Sequence, residues 1–244
     1  MIVAITAGGR VSGALAAAIG TPVKALAPFA GSTLLDVAIA AARASGARRI
    51  AVIGGDSVRA ACGARVDEVI AESADGRENI RKAIETGARE ALLLMTSDMP
   101  FVDAASVADF LARLGKADVA LPLASASAYE RAYPGAPPHV TRIGRDRIAN
   151  GSIVYFGPGI APRVLDAARD LFEARKSLVR MAMLLGPALL ARFAIGRLGI
   201  ADVERRARTL LGIDARAVRD AAPSLCYDVD AIEDYAYALA HRPG

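Results

Sequence analysis

Short apolar runs alternate with amphipathic stretches through the first half of this chain, and that alternation restricts the fold more than any other feature. Ile2–Thr6 reads as a strand, Leu34–Ala44 as a helix closed by Ser45-Gly46, and Arg49–Ile53 as a strand ending in Gly54-Gly55. Ser57–Cys62 follows as a short helix, Val66–Ile70 as a strand, and Asn79–Thr86 as a helix stopped by Gly87. Ala91–Thr96 has the continuous apolar character of a buried strand, Ala104–Arg113 is helical, and Val119–Pro122 is another strand. Strands separated by helices of this length are βαβ units, which build a mostly parallel sheet with right-handed crossovers. The expected class is therefore α/β with helices on both faces, three layers in all, and ligands in such sheets bind at the carboxyl ends of the strands.

The second half reads differently. Arg147–Phe156 is a strand or hairpin element ending at Gly157-Pro158-Gly159, and from Ala161 to Leu211 the pattern is largely helical, with breaks at Gly186-Pro187 and Gly199. Pro223–Val229 returns as a strand, and Ile232–Ala240 closes with a helix. With no repeat and no low-complexity linker, residues 1–244 are expected to form one domain, interrupted by a helical insertion over 161–222.

Composition narrows the class. An apolar fraction of 54% is inflated by alanine, and aromatics make up only 5% of the 244 residues. The most apolar stretch, Met181–Ala191, is bounded by Arg180 and Arg192 and broken by Gly186-Pro187, well short of the ~20 residues a bilayer requires. Met1 is followed at once by apolar residues with no basic segment before them, and Ile2–Thr6 is too short for a secretory core, so a cytoplasmic location is expected. Cys62 and Cys226 lie far apart and give no metal or disulfide framework. A net charge of +4 suits an anionic small molecule as well as a nucleic acid. The arginines are scattered, however, and no aromatics are interleaved with them as base-stacking platforms, which argues against nucleic acid. Arg142/Arg145/Arg147 and Arg205/Arg206/Arg208 are the densest clusters, the second reading as a solvated helix face.

Three constellations remain for chemistry. Ala7-Gly8-Gly9-Arg10 follows the first strand, and Lys24 returns beside it; Lys24 is one of four lysines among 30 Lys+Arg. Glycines there let backbone N–H groups face an anion, and a compact ammonium adds charge, which is a phosphate loop. Gly-Lys-Ser/Thr is missing after the glycines, and Gly8-Gly9 with Gly13 does not fit G-x-G-x-x-G, so neither common nucleotide fingerprint applies. Asp98, in Thr96-Ser97-Asp98-Met99-Pro100, sits at the end of the most hydrophobic strand, offering the hard oxygen that Mg²⁺ prefers; Asp103 is better placed to cap the next helix. Asp228 and Asp230 alternate about Val229, so on a strand they would share one face and would need a cation to offset their repulsion. Asp230 with Glu233 also fits a helix cap.

These elements, in this order, resemble the MobA-like nucleotidyltransferases, a family that includes molybdenum-cofactor cytidylyl- and guanylyltransferases and is related to sugar-phosphate nucleotidyltransferases of the GT-A type. Ala7-Gly8-Gly9 and Lys24-Ala25-Leu26-Ala27-Pro28 match its opening motif, with Gly31 and Leu34-Leu35 in place. Ser97-Asp98-Met99-Pro100 is similar to its Asp-x-Pro metal motif, and Asp228-Val229-Asp230 with Glu233-Asp234 to its closing acidic motif. The match covers residues 2 to about 156 and resumes near 223. It implies a Rossmann-like sheet, an NTP and a small-molecule acceptor as substrates, and Mg²⁺ held by Asp98, Asp228 and Asp230. Ala7, Gly8, Gly9, Arg10, Lys24, Gly54 and Asn79 would face the nucleotide, with Lys24, Arg10 and Asp98 in the reaction itself. Asn150-Gly151-Ser152 takes the place of an acceptor-side turn. Relatives carry an arginine deeper in the first loop where this chain reads Gly13-Ala14-Leu15, which leaves the triphosphate grip to Arg10 or mainly to Lys24.

The reaction implied is transfer of a nucleoside monophosphate to the acceptor with release of pyrophosphate. No histidine is expected near the motifs, His139 and His241 being read as surface residues, so a histidine general base is not expected. A GT-A glycosyltransferase would ordinarily show Asp-x-Asp after a central strand, and Ser97-Asp98-Met99-Pro100 is not one. A non-catalytic membrane- or nucleic-acid-binding module would use the apolar, basic segment Arg180–Arg208, which could equally form a homodimer interface.

Overall fold

The structure, a computed structural model, describes residues 1–87, 89–165 and 186–242. Its centre is a sheet of strands β1 (Ile2–Thr6), β4 (Arg49–Gly54), β5 (Glu68–Ala71), β6 (Leu92–Thr96), β7 (Val119–Ser125), β8 (Val140–Ile143), β9 (Asp146–Asn150), β10 (Ile153–Phe156) and β11 (Ala215–Arg219). A separate short hairpin joins β2 (Pro28–Phe29) to β3 (Ser32–Thr33). The order across the main sheet is β5-β4-β1-β6-β10-β7-β9-β8, with β11 beside β7. β5, β4, β1 and β6 are parallel, as are β7 and β11, whereas β10 runs antiparallel to both β6 and β7. The α/β, mostly parallel arrangement expected from the alternating runs is the one found.

Both faces of the sheet are covered. Along β1, Val3 and Ile5 enter one apolar core with Leu34, Leu35 and Ile39 of α2 (Leu34–Ala44) and Phe110 of α5 (Ala104–Ala112). Ile2 and Ala4 enter a second core with Ala83 and Ile84 of α4 (Gly76–Glu85). Burial on both sides explains why β1, β4 and β6 read as unbroken apolar runs instead of alternating ones. Each Leu or Ile fully removed from water there contributes about 1.5–3 kcal/mol. The helix starts are set locally: the Thr33 hydroxyl accepts from the Asp36 N–H while the Asp36 carboxylate accepts from the Thr33 N–H, and Asp103 caps α5 as expected.

Several expectations need correction. Pro223–Val229 is not a strand: Pro223–Leu225 forms a 3-10 turn, and residues 227–230 run irregularly into α9 (Ile232–Ala240). The strand in this region is β11, inside the 161–222 segment expected as a helical insertion, where it follows α7 (Pro187–Ala194) and α8 (Ile200–Leu211). Its pattern, Ala-Arg-Ala-Val-Arg, holds one buried position, so periodicity alone gave it no weight. The loop after Arg10 contains a short helix, α1 (Gly13–Ile19). Residues 166–185, which include the start of the apolar stretch Met181–Ala191 and of the segment Arg180–Arg208, lie outside the described residues. Among the described residues, no helix is long and apolar enough to cross a membrane.

The bend between β9 and β10 falls at Asn150-Gly151-Ser152. The Gly151 N–H donates to the Pro122 carbonyl at 2.9 Å, and a Cβ on Gly151 would meet Pro122 Cγ at 2.2 Å. Ser152 N–H donates to Leu225 O, and Thr96 N–H to Ser152 O. Gly151→Ala therefore has nowhere to put a methyl group without moving β7. We expect it to lower stability by about 1–3 kcal/mol, read as a fall in thermal unfolding midpoint; an unchanged midpoint would show that β7 yields freely.

Candidate active site

The carboxyl ends of β1, β4, β5 and β6 emerge at one edge, carrying Ala7-Gly8-Gly9, Gly55, Glu72 and Ser97-Asp98. Backbone bonds lock these ends together: Ala7 N–H to Ile53 O, Ser97 N–H to Thr6 O and Glu72 N–H to Gly54 O. The loop bearing α1 leaves after Arg10 and returns at Val23, which pair as an antiparallel bridge, and Val11 N–H bonds Pro22 O. Lys24 N–H then donates to Gly9 O at 2.9 Å, so the lysine is returned to the glycine turn by its own backbone.

Lys24 is the hub of the site. Its Nζ lies 2.6 Å from Asp98 Oδ2 and 2.8 Å from Asp230 Oδ1, and its Cε passes 3.6 Å from where a Gly9 Cβ would sit. Burial works to lower the Lys24 pKa, but the charge of Asp98 and the hydrogen bonds to Asp230 and Asp98 outweigh it and hold the ammonium above its ordinary value. Asp98 is 8% exposed, and its Oδ1 is buried with no hydrogen-bond partner among the described residues. The Asp98 carbonyl accepts from Val229 N–H at 3.0 Å, which brings the 228–230 segment against the end of β6.

Asp228 and Asp230 converge as expected, although not as neighbours on a strand. Asp230 is exposed and faces Lys24, whereas Asp228 turns inward and accepts from the Ser152 hydroxyl at 3.2 Å. Burial first, then the charges of Asp98 and Asp230, push the Asp228 pKa up. Asp230 does not cap α9; the buried carboxylate of Asp234 does, its Oδ2 accepting from Asp230 N–H and Ala231 N–H. Burial raises the Asp234 pKa, but the His139 contact and those two N–H groups bring it below the ordinary carboxylate value.

His139 overturns the reading of both histidines as remote surface residues. His241 is exposed and stacks on Tyr237, but His139 is half-buried in the site, with Nε2 2.9 Å from Asp234 Oδ1 and Nδ1 3.2 Å from Asp228 Oδ1. Tyr129 and Tyr227 flank its ring, in a cluster that also takes in Phe101 and Tyr133. The hydrogen bond to Asp234 raises the His139 pKa, against the effect of burial. Few aromatics are present in this sequence, and their gathering here was invisible along the chain.

Glu72 was also missed, although the rule that singled out Asp98, an acid at the carboxyl end of a strand, applies to it equally. Its carboxylate pairs with Arg10 through Oε1, while Oε2 is buried without a partner among the described residues. A Cβ on Gly8 would meet Oε2 at 2.3 Å, so the glycine leaves room for the acid beside it. Arg10 is half-exposed and directed at Glu72, which leaves Lys24 as the cation on the Gly9 side of the turn. Asn79 is buried in α4 with its amide clasping the Ser73 backbone, Oδ1 accepting from N–H at 2.6 Å and Nδ2 donating to O at 2.9 Å. Asp75, not Asn79, caps that helix. Gly54 is buried, and a Cβ there would strike Val58 of α3 (Asp56–Cys62); Asn150 is exposed.

The donor set fits a divalent cation. A ring nitrogen of His139 and carboxylate oxygens of Asp228 and Asp230 lie within 4.8 Å of one another, Nδ1 being the nitrogen that faces Asp228, and the unpartnered Oδ1 of Asp98 offers another hard oxygen.

Comparison with known proteins shows the fold and the family. A solved hypothetical transferase from Thermus thermophilus is 26% identical, with a TM-score of 0.79, and the match covers 96% of this chain and 98% of that one. The Rv0371c protein of Mycobacterium tuberculosis, solved with manganese, is 19% identical with a TM-score of 0.53, over 98% of each chain. The 2-C-methyl-D-erythritol 4-phosphate cytidylyltransferase of Thermus thermophilus is 18% identical with a TM-score of 0.53, over 98% of this chain and 96% of that one. No curated protein matches the chain. The MobA-like NTP transferase domain matches residues 3–211, spanning the glycine turn, Lys24, Asp98 and β10. By that match and by its fold, the chain belongs to the MobA-like NTP transferase family of nucleotidyltransferases.

Proposed function

We infer that this protein moves a nucleoside monophosphate from an NTP to a small-molecule acceptor, phosphorylated or hydroxylated, and releases pyrophosphate. The observation that carries the reading is Lys24, held between Asp98 and Asp230 and against Gly9 at the carboxyl edge of the parallel strands. A cation beside a glycine turn, faced by acids that suit a divalent ion, is what in-line attack at an α-phosphorus requires. Such a reaction depends mainly on positioning and on neutralising charge.

In this reading the Gly8 and Gly9 amides and Arg10 bind the outer phosphates, with Arg10 exchanging its contact with Glu72 for them. Lys24 neutralises charge developing on the α-phosphate. Asp98, Asp228 and Asp230 would hold Mg²⁺, which supplies Lewis-acid stabilisation of the phosphate oxygens. Ser152 orients Asp228 through its hydroxyl, and Asn150 and Gly151 border the acceptor side. Asn79 supports the base side by fixing the 73–75 turn. The unsatisfied Glu72 oxygen favours a base that carries an exocyclic amino group, because a buried carboxylate gains most from an N–H donor. β11 in the main sheet supports treating residues 1–244 as a single nucleotidyltransferase domain.

The test is a thermal-shift screen of ATP, GTP, CTP and UTP with and without Mg²⁺. Binding to the folded state raises stability as RT ln(1 + [L]/Kd), about 2.7 kcal/mol at a ligand concentration of 100 Kd. One of the three amino-bearing nucleotides should give a large, Mg²⁺-dependent rise and UTP the smallest. No shift with any NTP would remove the proposal.

A further inference from the structure

Both ring nitrogens of His139 face carboxylates, which is more than a neutral imidazole can satisfy. Nε2 is 2.9 Å from Asp234 Oδ1, and Nδ1 is 3.2 Å from Asp228 Oδ1. A neutral ring has one N–H to give. Asp234 has the stronger claim on it: its side chain is 3% exposed, the contact is shorter, and its other oxygen is already committed to two backbone N–H groups. The Nδ1 lone pair then points at the Asp228 carboxylate, a repulsive contact unless something positive lies between them. A second proton could fill that role. A metal ion would do so too, with Asp230 completing the same cluster.

We propose that His139 is a nitrogen ligand, through Nδ1, of the divalent cation shared with Asp228 and Asp230, and that Asp234 is the carboxylate that fixes its ring. An imidazole that binds metal by one nitrogen characteristically donates its other N–H to a carboxylate or carbonyl, which sets both tautomer and orientation. Here that partner is the residue that caps α9. Packing against Tyr129 and Tyr227 further limits how the ring can turn. Asp98 adds a further open donor: its Oδ2 pairs with Lys24, but its buried Oδ1 has no hydrogen-bond partner among the described residues, and its charge reaches Asp228. A nitrogen donor changes which ion the site favours. Carboxylates alone suit Mg²⁺, whereas imidazole shifts preference toward first-row transition ions, so Mn²⁺ should bind more tightly than Mg²⁺. The proposal rests on the metal site inferred above and adds one ligand to it.

The experiment uses Mn²⁺ alone on the full chain, read by pulsed electron paramagnetic resonance, where a directly bound imidazole imprints ¹⁴N modulation on the ion. Labelling with ¹⁵N-histidine assigns the signal to histidine, and because the sequence holds two, a variant at each tells them apart. We expect nitrogen coupling in the wild type and in His241→Gln, and its loss in His139→Gln, with a roughly ten- to hundredfold weaker Mn²⁺ affinity and a reduced preference for Mn²⁺ over Mg²⁺. Mn²⁺ bound with no histidine nitrogen coupling would overturn the ligand while leaving the carboxylate site standing, with His139 a doubly protonated partner of two acids. If wild-type protein binds no Mn²⁺, both the ligand and the metal site fall.

Discussion

Lys24→Met lowers turnover about 10²–10³-fold, the loss seen when one preorganised donor to developing transition-state charge is removed. The effect is large because Lys24 is the cation that faces both the glycine turn and the acids. Arg10 is turned to Glu72, and the loop offers Gly13-Ala14-Leu15 in place of a further arginine. Methionine keeps the length and apolar body of the lysine stem, so the change tests charge, not packing. Stability should fall as well, since removing one partner of a buried ion pair costs about 3–5 kcal/mol. The cost lies toward or below the low end, because the Asp230 side chain is 65% exposed. Mg²⁺ or Mn²⁺ should restore much of that loss, by offsetting the repulsion among Asp98, Asp228 and Asp230, without restoring turnover. A variant that turns over like the wild type with the NTP found by thermal shift would refute the central assignment.

Asp98→Asn is the second large effect, of a different kind. Metal-dependent NTP binding, measured by calorimetry, should weaken at least about tenfold as the buried carboxylate is lost. The fold should survive better than in Lys24→Met, because the change removes a charge that presses on Asp228 and leaves Lys24 its bond to Asp230. Binding of the NTP in the absence of metal should change little. Equal metal-dependent affinity in wild type and Asp98→Asn would mean that the cation is held elsewhere.

Much of the frame was legible along the chain. β1, β4 and β6 lie within a residue of the apolar runs that marked them, because strands buried on both faces need an unbroken apolar sequence, and the edge strand β5, with no buried position, lies within two residues of the run Val66–Ile70. The motifs after β1 and β6 stand where a parallel sheet presents ligands, and the Asp103 cap could be read from residue type and spacing alone. Other elements with little burial were missed. β11 has one buried position, α1 is an alanine-rich turn of helix in what looked like loop, and β8 has no buried residue to mark it. The closing acidic segment was expected as a strand because Leu225-Cys226-Tyr227 is apolar. Those side chains are buried, but the backbone of 223–230 bonds to Ser152 and Asp98 and not to a ladder.

The chain's local patterns determined the layered sheet, the edge at which a ligand would sit, and the glycine turn with its lysine, since each is written within a few consecutive residues. What Lys24 touches was decided only by the tertiary structure. Its partner Asp230 lies 206 residues away, and the two meet because Val229 bonds the end of β6 while Gly9 bonds the returning loop. His139 joined the site by the same means, carried in by the chain before β8 and fastened to Asp234 at the start of α9. Periodicity records which face of an element is buried but not which elements become neighbours. An ion pair forms where sheet order and loop return bring two charges within hydrogen-bond reach, and that order is settled by packing the whole core.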